Sequence, residues 1–329
     1  MLKFTVKRLL YSVLILFFVM FLIYALIYSM PNGYVETKAR ELASRPGTGK
    51  SAAEWLADLN AQYGMDKGVV MGYFTWLKSA VTGNFGDSWA WTVPVLTQFQ
   101  NTIWYSFALG LISFILQILI AIPLGISAAR KQYSLTDYSS TVISMVCISM
   151  PTFFLATILK LIFAVKLGWL DITGMQSRDY HTLSEFGKFL DVAKHFIMPA
   201  ITLTVVSIGS LMRYTRTNML EVLNSDYIRT ARAKGVPEKK VINHHAFRNT
   251  LIPLVTTLGG SLPGLFSGAL ITETLFGIRG IGYASYNSMV QGDIPFTMFY
   301  LAFIAILTLL GNLISDILYA VVDPRVRLS

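Results

Sequence analysis

Six runs of about 20 mostly apolar residues constrain this chain more than any other feature of its sequence. A helix needs about 20 such residues to cross the hydrocarbon core of a bilayer. Only 14% of the residues are charged, against roughly 25% in soluble domains. The runs therefore predict an all-α polytopic membrane protein with six transmembrane helices, at residues 9–30, 103–128, 139–167, 195–212, 251–275 and 296–322.

Proline positions and the length of the first run refine this prediction. Pro151 lies inside the long third run and predicts a kink or tilt there. Pro199 lies near the start of the short fourth run, where a missing N–H costs little. The first run follows basic residues, as a signal peptide does. Its core is longer than the usual ~7–15 residues and no small-residue cleavage site follows, so we interpret it as a retained span.

The basic residues set the predicted orientation. With the N-terminus inside, the inner segments carry 15 of the 27 basic residues and 5 acidic ones. The two longer outer segments, 31–101 and 169–194, carry 9 basic and 10 acidic residues. This asymmetry follows the positive-inside rule, so both termini are predicted to be cytoplasmic. The net charge of +9 then reflects topology, and no nucleic-acid partner is expected. The inner segments are 1–8, 130–137, 213–248 and 323–329.

This orientation divides the chain into four parts. Residues 1–30 are a short cytoplasmic segment and the first span, and residues 31–101 are a large extracytoplasmic loop. Residues 102–322 are the core of five spans, with a cytoplasmic region at 213–250, and residues 323–329 are a cytoplasmic tail.

The outer loop has two segments with helical spacing of apolar residues. In the first, 51–63, Ser51 and Glu54 have the spacing of a capping box. The second is 71–81, and Trp89 and Trp91 beyond it suit the membrane interface. We expect an ordered loop that caps the helices, with a docking surface for an extracellular partner as the alternative.

Several sequence features resemble chemical sites but lack essential parts. Residues 45–51 read RPGTGKS, like the end of a phosphate-binding loop, yet Ser44 stands where such a loop has its first glycine and no buried strand precedes it. The orientation also places this segment outside the cell, away from ATP. His244 and His245 point to different helix faces, and no Cys, Asp or Glu completes a metal site with them. His181 with Glu185 is a weak metal signal.

No catalytic residues or bound cofactors are predicted. There is no nucleophile motif and no pair of acids on one helix, and the single cysteine, Cys147, has no partner. Charges within the predicted spans are functional candidates, but Lys160, Lys166, Glu273 and Asp316 lie towards the ends of their spans rather than at the midplane. A proton relay and an intramembrane enzyme are therefore disfavoured.

Residues 226–253, a basic helix-forming segment between two apolar runs, indicate that something docks there. Small residues and Gly235 lie where a short helix would turn, and small side chains allow a partner to approach closely. The fifth run is also unusual, because GGSLPGLFSGAL is rich in glycine and contains Pro263. Two interpretations stay open for it: close helix packing, or a moving part beside a pathway.

The sequence resembles the permease subunits of ATP-binding-cassette importers, in the oligopeptide/dipeptide/nickel (OppB/DppB-like) family. The resemblance covers nearly the whole chain and includes several stretches in the right order. They are QYGMDKGVVMGYFTWLKSAVTGNFGDSW at 62–89, IPLGISAARK at 122–131, SMPTFFLATILKLIFAVKLGWLDITG at 149–174, RYTRTNMLEVLNSDYIRTARAKGV at 213–236, HHAFRNTLIP at 244–253, ITETLFGIRGIG at 271–282 and DILYAVVDPRVR at 316–327.

The resemblance implies a type I importer fold and a coupling helix that docks on an ATPase subunit. The implied coupling residues are Asp226, Tyr227, Arg229, Thr230, Ala231, Arg232, Ala233 and Gly235. Arg229 and Arg232 are the expected polar contacts with the ATPase, with orientation by positive charge alone as the alternative. Candidate pathway residues, assigned by region, are Met150, Pro151, Gly260, Gly264 and Ser267.

The implied function is peptide uptake. The partners would be a homologous second permease, two ATPase subunits that use ATP and Mg, and an extracytoplasmic binding protein that delivers the peptide. The chain would have no ATP site of its own and would lie in a bacterial or archaeal plasma membrane. Nickel or another small solute is the alternative cargo, and a secondary transporter without ATPases is the alternative class.

The sequence departs from the family at two places. Arg229-Thr230-Ala231 stands where a coupling loop often has Glu-Ala-Ala, a departure that the peptide branch shares. After the first span the family often has Pro-Gly-Asp-Pro, whereas this chain has Pro31-Asn32-Gly33-Tyr34, and the segment up to Leu59 is longer than expected. Both of the latter changes lie on the outer side, where the binding protein would dock.

Overall fold

The computed structural model describes residues 2–29, 33–45 and 49–322, and this part of the chain is helical. Its one β feature is a bridge between Asp87 and Pro94. The prediction of an all-α membrane protein is confirmed. The helices are α1 (Leu2–Ser29), α2 (Gly33–Ser44), α3 (Ala52–Tyr63), α4 (Val69–Val81), α5 (Val95–Arg130), α6 (Leu135–Ser149), α7 (Thr152–Leu159), α8 (Glu185–Leu223), α9 (Asp226–Ala233), α10 (Glu238–Lys240), α11 (Phe247–Ser261), α12 (Leu270–Phe276), α13 (Ile281–Val290) and α14 (Ile294–Val322).

Four continuous helices of the described part are long and apolar enough to cross a membrane: α1, α5, α8 and α14. Two further apolar segments are bent, and they bring the number of spans to six if each bent pair counts as one. The structure therefore supports a multi-pass membrane protein, and the count of six spans stays a prediction.

The first bent segment contains Pro151, and the predicted kink is confirmed. Helix α6 ends at Ser149 and α7 begins at Thr152, with an angle of 100° between them. Proline has no N–H to continue the helix and holds the preceding residue in extended conformation, and Met150 has ψ 120°. A π-helical turn, Lys160–Lys166, extends α7.

The second bent segment is the glycine-rich one. A helix runs from α10 through a π-helical turn (Val241–Ala246), α11 and a 3-10 turn (Leu262–Phe266). After a break, α12 continues at an angle of 47°. The predicted single span at 251–275 is therefore interrupted just after Phe266.

Helix α8 corrects the predicted fourth span. It has 39 residues, from Glu185 to Leu223 with Ser184 as its N-cap, rather than the 18 of 195–212. Pro199 consequently lies buried in the helix interior, not near its start. The additional turns carry charged residues, which lower the mean hydropathy and hide a helix from a search for apolar runs. Similarly, α5 begins at Val95, so the predicted boundary at 101/102 falls within a helix.

Both predicted helices of the outer loop are confirmed. Helix α3 has Ser51 as its N-cap, and the capping box with Glu54 is complete. Helix α4 includes the predicted segment 71–81. Helix α2 was not predicted. Pro31 and Asn32, part of RPGTGKS (46–48) and the predicted tail 323–329 lie outside the described residues.

The chain divides into two compact units, residues 1–102 with 284–309 and residues 103–283 with 310–329. Within the first unit, α1 packs against the helices of the outer loop. Tyr24 Oη donates to Tyr63 O at 2.9 Å and Tyr73 Oη donates to Phe17 O at 2.9 Å. Around these bonds lies a core rich in aromatic side chains, including Tyr24, Tyr63, Tyr73 and Trp76.

Within the second unit, helices approach closely at glycines. A Cβ added to Gly209 of α8 would lie 2.5 Å from Ser144 O of α6, and one added to Gly125 of α5 would lie 2.7 Å from Met212 O. In lipid, such contacts between backbones drive helix association. Among the described residues of this unit, Phe196, Met212 and Met219 of α8 each belong to an apolar cluster.

Candidate functional site

The predicted coupling residues form a short helix held at one end of the second unit. We call residues 225–238 the docking segment. Helix α9 occupies Asp226–Ala233, and the chain then turns at Gly235, whose N–H donates to Arg232 O at 2.9 Å. Gly235 has φ +73°, and a Cβ placed there would meet nothing within 4 Å. Within this chain the glycine therefore serves the left-handed turn and not a close contact.

The inner face of α9 is anchored to the core of the second unit. Ile228 is fully buried and Ala231 packs beside it. Ile228 contacts a cluster from α5, α8 and the start of the helix that contains α11, which includes Ala129, Met219 and Val241. Helix α9 is thus packed against side chains of three other helices.

The outer face of α9 is exposed. Tyr227 and Thr230 lie on it with Asp226, Arg229 and Ala233. The Arg229 guanidinium is open to solvent and makes only a long contact, 3.5 Å, with Asp226 Oδ1. This face offers small residues flanked by one cation and one aromatic ring.

The second predicted contact residue, Arg232, is differently placed. Its Nε and Nη2 donate to the two carboxylate oxygens of Glu238 at 3.1 and 2.8 Å. This bidentate pair joins α9 to α10 across the turn at Gly235. Arg232 therefore has a role in positioning the docking segment that the sequence did not indicate.

A cavity of about 260 Å³ lies between α5, α8 and the glycine-rich break after α11. Most of its lining is apolar, and we call it the polar cavity for its serine and glutamine side chains. Its polar side chains are all uncharged: four serines and Gln117. Gln117 Nε2 donates to Ser207 O at 3.4 Å. Ser106, Ser113 and Ser261 already donate their hydroxyl protons within the chain. The cavity can therefore hydrogen-bond a neutral polar group mainly through hydroxyl oxygens that accept, together with Ser207 and Gln117. The serines are Ser106, Ser113, Ser207 and Ser261.

The structure separates the five residues assigned to the pathway by region. Gly264 lines this polar cavity, and Ser267 lies at the adjacent break, where its Oγ donates to Gly264 O at 2.7 Å. Gly260 instead packs on α14, where an added Cβ would lie 3.3 Å from Ser315 Cβ. Met150 packs against an apolar cluster and Pro151 is exposed at the bend between α6 and α7.

Glu273 is a functional candidate whose surroundings were not predicted from the sequence. Its side chain is fully buried and accepts three hydrogen bonds, from Ser106 Oγ at 2.6 Å, Ala269 N at 2.9 Å and Tyr283 N at 2.8 Å. Ser106 and Ala269 both line the polar cavity. The carboxylate thus fixes α5 and the glycine-rich break at one wall of this cavity.

The sequence did carry a signal for this arrangement, in the glycines of GIRGIG. A Cβ on Gly280 would lie 2.6 Å from Glu273 Cδ, and one on Gly282 would lie 3.0 Å from Glu273 Oε2. Glycines at these two positions let the backbone wrap around the carboxylate.

In the first unit, two buried charges order the outer loop. Asp293, fully buried, accepts from Ser88 Oγ, from Ala90 N at 3.1 Å and from Phe296 N at 3.2 Å. Lys38 Nζ donates to Trp89 O and to Glu41 Oε2, both at 2.9 Å. The loop before α5 is consequently bound to α2 and to the start of α14, as expected of an ordered outer segment.

The residues that resembled a phosphate-binding loop or a metal site make contacts with neighbouring side chains. Lys50 Nζ lies 2.7 Å from Asp58 Oδ2 and Ser51 caps α3. The ring of His181 contacts that of Tyr180 edge to face, and the rings of His244 and His245 contact each other in the same way. Among the described residues, no three His, Cys, Asp or Glu side chains are grouped to hold a metal.

Comparison with known proteins gives consistent matches over the whole chain. The family described as "Binding-protein-dependent transport system inner membrane component" matches residues 121–328, and its N-terminal companion, "Binding-prot-dependent transport system membrane comp, N-term", matches residues 1–103.

Relatives align over most or all of the chain. The oligopeptide transport system permease protein AppB of Bacillus subtilis is 38% identical over 81% of this chain and 83% of its own length. The dipeptide transport system permease protein DppB of Alkalihalophilus pseudofirmus is 33% identical over 99% of this chain and all of its own. DppB of Escherichia coli is 32% identical over 99% of both.

Proposed function

This chain belongs to the family of binding-protein-dependent transport system inner membrane components, and from that premise we propose that it is the permease subunit of an ATP-driven peptide importer. The observation that carries the proposal is helix α9, which is anchored by one face and exposed on the other. A helix with a buried inner face and an exposed outer face suits a lever worked by a separate protein. The relatives that match most or nearly all of the chain are named as dipeptide or oligopeptide permeases.

The proposed topology is that of a type I importer, with six spans and both termini in the cytoplasm. Each bent helix pair counts as one span, and the basic segments lie inside. The docking segment is then cytoplasmic, where two ATPase subunits can reach it. The outer loop faces the extracytoplasmic binding protein.

Transport proceeds by alternating access between two arrangements of the helices. Closure of the ATPases around ATP moves α9, and Ile228 transmits the movement to α5, α8 and the helix containing α11. A homologous second permease supplies the other half of the pathway. ATP hydrolysis resets the pair. This chain contributes the lever and half of the pathway, while its partners use the ATP and Mg.

The polar cavity beside the glycine-rich break is the proposed part of the pathway. Peptides differ in their side chains but share backbone N–H and C=O groups, which hydroxyls and an amide can bind whatever the sequence. The alternative cargo, nickel, is well matched by imidazole ligands, whereas the polar side chains that line this cavity are serines and Gln117, with no histidine among them. The lining therefore favours peptide.

Uptake by the complete complex in membrane vesicles tests the proposal. Labelled dipeptide and oligopeptide should accumulate in an ATP-dependent manner, and radioactive nickel should not. Replacing Ser113 and Ser207 together with valine should lower peptide uptake several-fold and leave assembly of the complex intact. Accumulation of nickel without peptide, or peptide uptake that persists without ATP, would reject the proposal.

A further inference from the structure

A second polar cavity, of about 230 Å³, lies in the second unit among the end of α5, the first half of α6 and the end of α8. We call it the basic cavity. It is lined by Arg213, Arg216 and Thr217 of α8 and by hydroxyl residues of α6, including Ser140 and Thr141. Neither the coupling helix nor the proposed pathway uses these residues.

The two arginines of the basic cavity differ in their partners. Arg216 Nε and Nη2 donate to the two oxygens of the buried Asp137 at 2.5 and 2.8 Å, which balances its charge. Arg213 has no hydrogen bond or ion pair with any residue that the structure describes. The cavity therefore carries one unbalanced positive charge.

The hydroxyls of α6 add unpaired donors. Ser140 is only 6% exposed, yet its side chain makes no hydrogen bond within the described part of the chain, and neither does that of Thr141. By contrast, Ser144 Oγ donates to Ser140 O at 2.9 Å. Both hydroxyls line the cavity, so these donors, together with the guanidinium of Arg213, suit a ligand rich in acceptor oxygens. A phosphate group has that chemistry, and arginine binds it through paired N–H donors.

The surroundings of the basic cavity indicate the source of the phosphate. Met145 lines the cavity and is 54% exposed, and Val142 and Val146 continue this exposed apolar face along α6. Small-molecule pockets usually exceed ~300 Å³, so this cavity admits a headgroup and leaves longer chains outside, against that face. The predicted orientation places the cavity on the cytoplasmic side, where the leaflet is anionic.

We propose that the basic cavity binds the phosphate of an anionic phospholipid headgroup from the cytoplasmic leaflet, with the acyl chains lying on the exposed face of α6. Arg213 supplies the charge, and Ser140 and Thr141 donate to the phosphate oxygens. The bound lipid holds α6 against α8 beside the Asp137–Arg216 pair. Because α9 follows directly after α8, transport is expected to depend on anionic lipid.

Native mass spectrometry of the complete complex from nanodiscs tests this assignment. The nanodiscs contain phosphatidylglycerol and phosphatidylcholine in equal amounts, and the phosphatidylglycerol retained per complex is measured. Arg213→Gln should weaken retention about tenfold, the effect of losing one charge-assisted hydrogen bond, and Thr141→Val should weaken it less. Arg248→Gln is the matched control, because Arg248 is exposed, lies on the same predicted side and does not line the cavity.

The outcomes separate the possible occupants. Two results together support the proposal. Arg213→Gln loses phosphatidylglycerol while Arg248→Gln keeps it, and excess inorganic phosphate does not displace the lipid from the wild type. Equal retention in both variants overturns it. Displacement of the lipid by inorganic phosphate also overturns it, because the site then belongs to a soluble anion. Crosslinking of the Thr141→Cys variant to the second permease would also overturn it, because a protein would then fill the cavity.

Discussion

Among single residues, the most informative positions are those where one structural requirement explains why a glycine or a buried acidic residue is present. Gly235 is required for a left-handed turn, and open space surrounds it. Glu273 is required as an acceptor of three hydrogen bonds at the cavity wall. These reasons differ, so the two positions predict different patterns of tolerated substitution.

Replacing Gly235 with valine should uncouple the ATPase from transport. A non-glycine residue in the left-handed region costs roughly 1–2 kcal/mol, which would shift the turn between α9 and α10. Asparagine tolerates this region, so Gly235→Asn should stay near the wild type. The measurement is peptide uptake together with peptide-stimulated ATPase activity. Normal uptake and ATPase binding in Gly235→Val would contradict the role assigned to the turn.

Replacing Glu273 with glutamine should destabilise the wall of the polar cavity. The amide has one acceptor oxygen and an NH₂ group, which would face backbone N–H donors. A buried donor left without a partner costs about 1–3 kcal/mol. We expect a lower thermal midpoint and weaker peptide uptake. The control is Glu185→Gln, at an exposed carboxylate, and an equal effect of both substitutions would contradict the prediction.

At the scale of helices, α9 is held by its buried face and by the pair between Arg232 and Glu238. The pair is partly exposed, so it is worth at most about 1 kcal/mol. Its effect lies in orienting the docking segment rather than in stabilising the fold.

Exchange of the two charges tests whether Arg232 acts through Glu238. Arg232→Glu alone should lower transport, since it places two carboxylates together, and the double variant Arg232→Glu with Glu238→Arg should restore most of it. Arg229→Ala should lower ATPase binding without such rescue, because Arg229 has only a long contact within the chain. If the double variant is as impaired as the single one, Arg232 contacts the ATPase directly.

Helix α2 of the outer loop gives a prediction for pH. Hydrogen bonds from Lys38, and then from Arg45, lower the pKa of Glu41 below its ordinary value. The ionised carboxylate therefore stabilises α2 above the ordinary carboxyl pKa, ~4.3. This stabilisation is lost as the pH falls through the lowered value.

Hydrogen exchange of α2 amides measures this effect. Compared with Glu41→Gln at the same pH, the wild type should be better protected near neutral pH, and the difference should vanish in acid. Glu36→Gln, on the same helix and with only a 3.9 Å contact to Arg40, is the control. A difference between wild type and Glu41→Gln that persists below the lowered pKa would contradict the assignment.

At the scale of the whole molecule, the chain is a membrane subunit whose exposed docking segment needs partners. Purification in mild detergent from its native membrane should bring two ATPases, a second permease and a binding protein, each identified by mass spectrometry. The binding protein would also report the cargo. A chain that purifies alone and moves solute without ATP would favour a secondary transporter instead.

Features that depend on neighbouring residues could be predicted from the sequence alone. Apolar runs fixed the membrane class, Ser51 and Glu54 fixed the start of α3, and Pro151 fixed the break between α6 and α7, because periodicity, capping and proline geometry are local. Length was predicted less well. Helix α8 continues through polar residues at both of its ends. A search for apolar residues therefore gave 195–212, which is shorter at each end than the observed Glu185–Leu223.

Which distant residues meet depends on how the helices pack against one another. Ser106 and Glu273 are 167 positions apart, and Ser88 and Asp293 are 205 apart, yet each pair joins by a buried hydrogen bond. The two cavities likewise arise where separate helices meet. The sequence does not show whether a hydroxyl or carboxylate faces lipid, a cavity or a backbone N–H. The role of such a group follows from the partner that folding places beside it.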